Sequence, residues 1–399
     1  MDVVTHMQLS LNDIEWLVGS EQTLTASAVV PFDETVIEEL DALSKALLKD
    51  SASRLYPDVV TFGFFCRRAN LMKLKETSQL STFNLQLRLG RGLIFHIAPS
   101  NVPVNFAYSV VAGLLAGNTN VVRVSQKSFP QVDFIVKHML ATEMHRVAVV
   151  RYPHESNANE VFSALCDVRV IWGGDATIAN IRRNALKPRA FDVCFADRYS
   201  VAAINAEAID GNAPMDKLAE AFYNDTYLFD QNACSAPHLI LWTGSEAAIE
   251  QGKQLFWEAV YAVAKKRYTF QEVMAVDKLT ALYKQAAAMP IHEEQTTDNV
   301  LRRVALQTLP SDIDAFRCAC GYFSEYTATS LDELASIVTP KYQTLAYYGY
   351  DHDTLCDFVR RNHLCGIDRI VPLGKTTEFS LVWDGNDLIN SLSRIVDIQ

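Results

Sequence analysis

Asn232-Ala233-Cys234-Ser235 joins a helical pattern to the strand-like run Leu239-Ile240-Leu241-Trp242. A thiolate at such a junction, among small and amide side chains, is open to a carbonyl carbon and would do covalent thioester chemistry. The plain alternative is a buried, inert thiol, the commonest state of a free cysteine. Asn101 lies in the Pro-bounded loop Ala98-Pro99-Ser100-Asn101-Val102-Pro103. Its amide can donate to an oxygen on which charge develops during acyl transfer, or simply close an Asx turn. Arg123, Ser125, Gln126 and Lys127 follow a strand pattern. Two cations and two hydrogen-bonding groups there suit a sugar phosphate, or else form a solvated strand end. Gly173-Gly174 opens a turn into a helix, where backbone amides can approach a phosphate; without Gly-x-Gly-x-x-Gly the pattern also fits an ordinary turn. His238 is four residues from Cys234, but Pro237 and the following strand argue against helical i, i+4 geometry. A structural histidine is the expectation.

These residues need elements that hold them. Apolar positions Val36, Ile37, Leu40, Leu43 and Leu47 predict a helix over 33–49, with acids early and lysines late as the helix dipole favours. Residues 51–90 are mixed and end in the alternating stretch 81–89, read as a strand or arm. From residue 92 strands and helices alternate: strands at 93–97, 120–124, 147–152 and 168–172, with helices at 105–116, 132–144, 159–167 and 176–186. One further strand is expected within 193–204. Alternation at this rhythm predicts a parallel sheet covered by helices. A helix over 214–229 leads to Cys234. A second alternation follows, with strands near 239–242, 321–328 and 343–348 and helices near 245–265, 271–288 and 331–337. Gly211-Asn212-Ala213-Pro214 supplies turn chemistry for a domain boundary.

Bulk composition narrows the function. With 399 residues, the chain exceeds one ordinary core and implies two large domains. Net charge −11 argues against nucleic acid, which demands a basic stripe. None of the eight cysteines has Cys-x-x-Cys spacing, and Cys318-Ala319-Cys320 alone makes a poor zinc site, so no metal is expected. Cys166 and Cys194 fall in apolar settings and read as core. The amino-terminal stretch lacks the pattern of a signal peptide, and no apolar run reaches membrane-spanning length. A reducing cytoplasm is the expectation.

Taken together, the segments His96 to Pro103, Gly117 to Val124, Ile171 to Asp175, Phe195 to Ser200, Phe229 to His238 and Gly366 to Gly374 resemble the aldehyde dehydrogenase superfamily. More closely, they resemble the acyl-CoA reductases of bacterial bioluminescence, the fatty-acid reductase component. Each segment alone is weak; six in order over residues 90–395 are specific. The resemblance implies two doubly wound α/β domains, one binding cofactor and one catalytic, with a small oligomerisation element. The expected division is an N-terminal helical or arm region over 1–85, a nicotinamide dinucleotide domain over 86–210, a catalytic domain over 211–365, and a segment over 366–399 that returns to the cofactor domain. It also implies Cys234 as nucleophile and Asn101 as oxyanion donor with the Cys234 N–H. Ala98, Pro99, Ser100, Arg123, Ser125, Gln126, Gly173 and Gly174 are implied as cofactor contacts.

Departures from the family pattern sharpen this. Phe195 stands where aldehyde-oxidising members carry a glutamate base. Without a base, water attack on an acyl-enzyme is slow, which favours reducing a thioester over making an acid. Gln126 stands where NAD-preferring relatives often place a glutamate, so NADPH is the expected cofactor. Cys318-Ala319-Cys320 falls near a ribose-contacting glutamate of relatives. The expected activity is reduction of a long-chain fatty acyl-CoA or other acyl thioester to the aldehyde through acyl-Cys234. Phe222, Tyr223, Tyr227 and Phe229 are candidates for an acyl tunnel, with core packing as the alternative. An acyl-activating or acyl-transferring protein is a candidate partner, and a homo-oligomer is implied. The rival readings are an NAD(P)-dependent aldehyde dehydrogenase, a thiol acyltransferase or acyl carrier, and a non-catalytic scaffold.

Overall fold

The structure, a computed structural model, describes residues 14–81, 87–99, 101–210, 213–294 and 298–398. It divides into two compact units: the residues up to Ala196 together with those from Leu381, and Asp197–Ser380. The division falls before Asp197, not near 210, and the described residues of the 1–85 region belong to the first unit. The reason lies in 193–204. It holds two strands, Phe191–Phe195 and Tyr199–Asn205, which pair in different sheets.

The first unit begins with β1 (Glu15–Val18) and α1 (Glu34–Lys49). Asp33 caps α1 by accepting from Thr35 N at 3.0 Å, and the five predicted apolar positions are buried. Two helices, α2 (Pro57–Phe65) and α3 (Arg68–Ser81), occupy most of the stretch that read only as mixed. In α2 the sequence Val59-Val60-Thr61-Phe62-Gly63-Phe64-Phe65 is apolar nearly all round, so it carries no helical period to read. After β2 (Leu87–Gly90), the expected alternation appears as β3 (Leu93–Ile97), α4 (Asn105–Leu115), β4 (Thr119–Arg123) and α5 (Pro130–Ala141). It continues with β5 (Val147–Arg151), α6 (Ala158–Leu165), β6 (Val168–Trp172), α7 (Asp175–Ile181) and β7 (Phe191–Phe195). Gly117 stops α4 at φ +88, where a Cβ would lie 2.2 Å from Val29 O.

The sheet order is β1-β5-β4-β3-β6-β7, with only β1 antiparallel. The chain runs outward from β3 through β4 to β5, then crosses back to β6 on the other side of β3. That reversal makes a crevice at the carboxyl ends of β3 and β6. Beneath it His96, fully buried on β3, is satisfied at both nitrogens. Trp172 Nε1 donates to Ser109 Oγ at 2.9 Å, Ser109 meets His96 Nδ1 at 2.7 Å, and His96 Nε2 meets Asn120 Oδ1 at 2.9 Å. Burial pulls His96 down to about 4, so the imidazole is neutral at pH 7.

The second unit contains β8 (Tyr199–Asn205), α8 (Met215–Thr226), β9 (Pro237–Thr243), α9 (Glu246–Arg267), α10 (Glu272–Ala288) and β10 (Ile291–Glu294). It goes on through β11 (Arg302–Leu306), β12 (Tyr322–Thr327), β13 (Tyr342–Tyr348), α11 (His352–Asn362) and β14 (Arg369–Pro372). Strand order is β10-β11-β12-β9-β8-β13-β14, with only β10 antiparallel. Elements β10, β11, α11 and β14 go beyond the sequence expectation. Phe222, Tyr223 and Tyr227 pack into a core with Phe256, Trp257 and Phe323. They therefore do not wall an acyl tunnel. Glu325 is buried in the same core and is fully engaged: Trp242 Nε1 and Trp257 Nε1 each donate at 2.8 Å and Arg303 Nε at 2.7 Å.

The last segment is β15 (Val382–Trp383), β16 (Asn386–Asp387), α12 (Leu388–Leu392) and β17 (Ser393–Val396). It joins the first unit through antiparallel pairing of β17 with β2, and Asn118 Nδ2 donates to Leu392 O at 2.8 Å. The return begins at Leu381. Residues 366–380 stay with the second unit because β14 pairs with β13.

Candidate active site

In the second unit, α8 ends in a single tight turn, and Asp230 and Gln231 both adopt left-handed backbone at φ +52 and +59. Two such non-glycine residues in succession need outside support. Gln231 provides it from a fully buried side chain. Its Nε2 donates to Pro237 O at 2.9 Å and to Tyr322 O at 3.0 Å. Its Oε1 accepts from Gly321 N at 2.9 Å and Tyr322 N at 3.2 Å. Tyr268 and Cys320 add bonds to Asp230, from the hydroxyl at 2.7 Å and from the backbone N–H at 3.0 Å. The clasp delivers the chain into a turn closed by Ala236 N donating to Ala233 O at 2.9 Å. Cys234 sits half-buried in that turn, not at a helix N-terminus.

What surrounds the Cys234 sulfur comes from distant strands. Gln343 Nε2 on β13 donates to Sγ at 3.3 Å. Ser200 Oγ on β8 donates to Cys234 O at 2.7 Å and accepts from Thr344 N at 3.1 Å. Arg369 opens β14. Its guanidinium donates to Lys375 O, Thr376 O and Glu378 O at 2.6–2.9 Å. Burial pulls Arg369 below its usual value, opposed by Asp225, Glu378 and Cys234. Asp225 in turn accepts from Gly374 N at 2.6 Å and Thr376 N at 3.0 Å, and burial raises it to about 6. Ser200, Gln343 and Arg369 stand at the amino ends of parallel strands, where Ser200 is in register with Pro237 and Thr344 with Arg369. Cys234 stood out in the sequence. Ser200 and Arg369 lay in quoted segments, Phe195 to Ser200 and Gly366 to Gly374, without an assigned role, and no local pattern marks Gln343.

His238 has the structural setting expected of it. Its Nδ1 donates to Cys318 O at 3.1 Å, the ring stacks on Tyr199, and burial pulls it down to about 4. Cys318 and Cys320 are half-buried, and burial raises both thiols. No group of side chains suited to a metal ion occurs among the described residues. Cys166 is core as expected. Cys194 is only half-buried, with Arg182 Nη2 3.3 Å from its sulfur.

In the first unit, the candidate cofactor positions gather at the carboxyl edge of adjacent strands β4, β3 and β6. Ala98 and Pro99 follow β3, Arg123 ends β4, Ser125 and Gln126 lie just beyond it, and Gly173 and Gly174 follow β6. Ser100 lies outside the described residues. Asn101 is exposed in the turn before α4. Arg123 lies over the Tyr152 ring at 5.1 Å and its Nη2 is 3.5 Å from His154 Nδ1, while its buried Nε has no hydrogen-bond partner. Gln126 and Lys127 are exposed, and a Cβ added at Gly174 would meet nothing within 4 Å. An unsatisfied guanidinium donor, an open glycine turn and a switch-point crevice fit a dinucleotide phosphate ester. Phe195 is buried and stacks on Trp172 at 3.7 Å. No helix among the described residues is long and apolar enough to cross a membrane.

Residues 65–396 match the acyl-CoA reductase (LuxC) family. A long-chain acyl-protein thioester reductase of Vibrio harveyi is 25% identical over 202 residues, which span 47% of this chain and 38% of that protein. Among solved structures, a 1-pyrroline-5-carboxylate dehydrogenase variant from Thermus thermophilus aligns with TM-score 0.68 at 12% identity, covering 95% of this chain and 84% of that one. An NADP-dependent glyceraldehyde-3-phosphate dehydrogenase from Bacillus halodurans aligns with TM-score 0.62 at 12% identity, covering 90% and 85%. An NAD-dependent benzaldehyde dehydrogenase from Corynebacterium glutamicum aligns with TM-score 0.59 at 13% identity, covering 92% and 85%. At these identities the structures establish an aldehyde dehydrogenase-like fold.

Proposed function

Since this chain belongs to the acyl-CoA reductase (LuxC) family, we propose that it reduces a fatty acyl thioester to the aldehyde through an acyl thioester on Cys234, with NADPH as reductant. The observation that carries the reading is the half-buried Cys234 sulfur, held by a donor from β13 and fixed in its turn by Ser200 and Gln231. The thiolate adds to the acyl carbonyl, forming a C–S bond, and Asn101 donates to the resulting oxyanion. The donor thiolate departs as the old C–S bond breaks and takes up a proton from water. NADPH, when bound, supplies the hydride that brings the acyl group to the aldehyde level. Arg123, Ser125, Gln126, Gly173 and Gly174, with Ala98 and Pro99, would hold it. Arg123 and Lys127 with a neutral Gln126 favour a 2′-phosphate over a bare ribose. Phe195 cannot take a proton from water, so it gives hydrolysis of acyl-Cys234 no help. An acyl-CoA and an acyl group carried by a protein present the same thioester, and both belong to this proposal.

The test is intact mass after mixing the protein with a long-chain acyl-CoA, then adding NADPH, beside Cys234→Ala and Asn101→Ala. One acyl adduct is expected that requires Cys234, forms about 100-fold more slowly in Asn101→Ala, and disappears as aldehyde appears. An adduct that NADPH leaves untouched would replace the reading with an acyl carrier or transferase. Aldehyde-dependent NADPH formation, with no adduct from any thioester, would replace it with an aldehyde dehydrogenase.

A further inference from the structure

We infer that Gln343 is a catalytic residue that holds the nucleophile as a thiolate, both when Cys234 attacks and when it is expelled. The inference rests on the reading of Cys234 as nucleophile. Gln343 is buried at 1% exposure on the second residue of β13, and its Nε2 is 3.3 Å from Cys234 Sγ. The contact is set on both sides by one hydroxyl. Ser200 Oγ binds the Cys234 carbonyl and the N–H of Thr344, the residue next to Gln343. The sulfur and its donor are therefore tied to the same strand end. The Thr344 hydroxyl lies 3.4 Å from Gln343 Oε1, the side-chain atom that accepts, consistent with Nε2 pointing at sulfur.

A side-chain amide neither takes nor gives a proton at neutral pH, so Gln343 is no general base. It acts by preference. A neutral thiol is a weak acceptor, whereas a thiolate makes a charge-assisted bond about twice as strong. The same bond assists twice: the thiolate is the attacking species, and it is also the leaving group when the C–S bond to the reduced carbon breaks and the aldehyde is released. The other charged or titratable groups at this edge are consistent with that role. Arg369 from β14 is cationic, with Asp225 of α8 and Glu378 beside it, and His238 on β9 is neutral and committed to Cys318 O. This assigns stabilisation of the thiolate to a fixed amide dipole and the Arg369 cation, with the thiol proton passing to water.

The experiment is the pH dependence of Cys234 alkylation by iodoacetamide in the full chain, without acyl donor or cofactor, assigned by peptide mass. Wild type is compared with Gln343→Met, which keeps length without a donor, and Gln343→Glu, which puts a carboxylate against the sulfur. The alkylation midpoint is expected to rise by about one pH unit in Gln343→Met, a roughly tenfold slower reaction at pH 7, and by more in Gln343→Glu. Acylation by acyl-CoA should slow in the same order. If both variants melt like wild type and keep its midpoint, the inference fails. Should one variant not fold, the other decides alone. A shifted midpoint in a protein that no thioester acylates would retain the role of Gln343 and remove the proposed function. Acylation with unshifted midpoints would do the reverse.

Discussion

The two units place their candidate chemistry at opposite ends of their strands. In the first, the cofactor positions stand at the carboxyl edge of β4, β3 and β6, on exposed turns such as Gln126 and Gly174. In the second, Cys234, Ser200, Gln343 and Arg369 stand at the amino edge of β9, β8, β13 and β14. The first edge is open and its groups wait for a ligand: a guanidinium nitrogen lacks a partner and a glycine faces empty space. The second edge is over-determined, with the Cys234 sulfur, carbonyl and preceding turn each held by a named side chain. Binding a phosphate ester asks for amides and cations that a ligand completes. A nucleophile asks for geometry fixed before the substrate arrives.

That contrast is broken most severely at Gln231. Gln231→Ala removes four hydrogen bonds made by one buried amide and leaves their backbone partners without it, around two residues in left-handed conformation. The expected cost is about 3 to 5 kcal/mol of stability, with Cys234 acylation slowed about 100-fold or more as the turn relaxes. Urea unfolding and adduct formation by mass check the two parts. Retained acylation would mean that the turn stands without its clasp. The first unit should respond differently. Gln126→Glu puts a carboxylate at the exposed edge and is expected to leave stability unchanged while raising KM for NADPH about tenfold relative to NADH. Steady-state kinetics with both cofactors decide it, and an unchanged ratio would place the 2′-phosphate elsewhere.

The same contrast explains what was legible in the sequence. Strand, loop and helix follow one another locally in the first unit, so β3 to α7 were readable from period and turn residues, and Arg123 and Gly173 stood out as strand-end groups. The site of the second unit is assembled across long separations. Gln343 is 109 residues from Cys234, and Gln231 reaches 91 residues to Tyr322. Ser200 and Gln343 look like ordinary polar residues near the start of apolar strands, and only strand order β9-β8-β13-β14 brings them to one edge. The boundary was misplaced for a related reason. Strands β7 and β8 are separated by only Ala196-Asp197-Arg198, yet they belong to different sheets, and neither glycine nor proline marks the change. For the aromatic run before Cys234, core packing, the alternative to a tunnel, is what the structure shows. Phe222, Tyr223 and Tyr227 share a helical face, which is the spacing of a core stripe as much as of a tunnel.

The smallest predicted effect concerns acid, and it separates the two units by degree. Each sheet buries one neutral histidine on a strand of its active edge, His96 on β3 and His238 on β9, both pulled down to about 4. An unfolded chain takes up the proton near 6.5, so each histidine contributes stability that is full above 6.5 and lost as pH falls towards 4. In the second unit Asp225 titrates against this. Burial raises it to about 6 from 3.8, so the folded state holds that proton more tightly, and stability from this group increases as pH falls through 6. Each contribution changes by on the order of 1 kcal/mol per pH unit within its window. Acidification from pH 6.5 to 5 should therefore loosen the surroundings of His96 on β3 more than β9 and α8, although burial also raises Glu39 and Asp58 of the first unit, which act in the sense of Asp225. Hydrogen exchange read by peptide mass resolves the units separately. His238→Asn should leave Asp225 unopposed, so that acidification over this range slows exchange in the second unit instead of speeding it. Asp225→Asn should steepen the loss. If exchange in β9 and α8 responds to pH identically in wild type and both variants, then neither buried group carries the acid response, and the predicted difference between the units is abandoned.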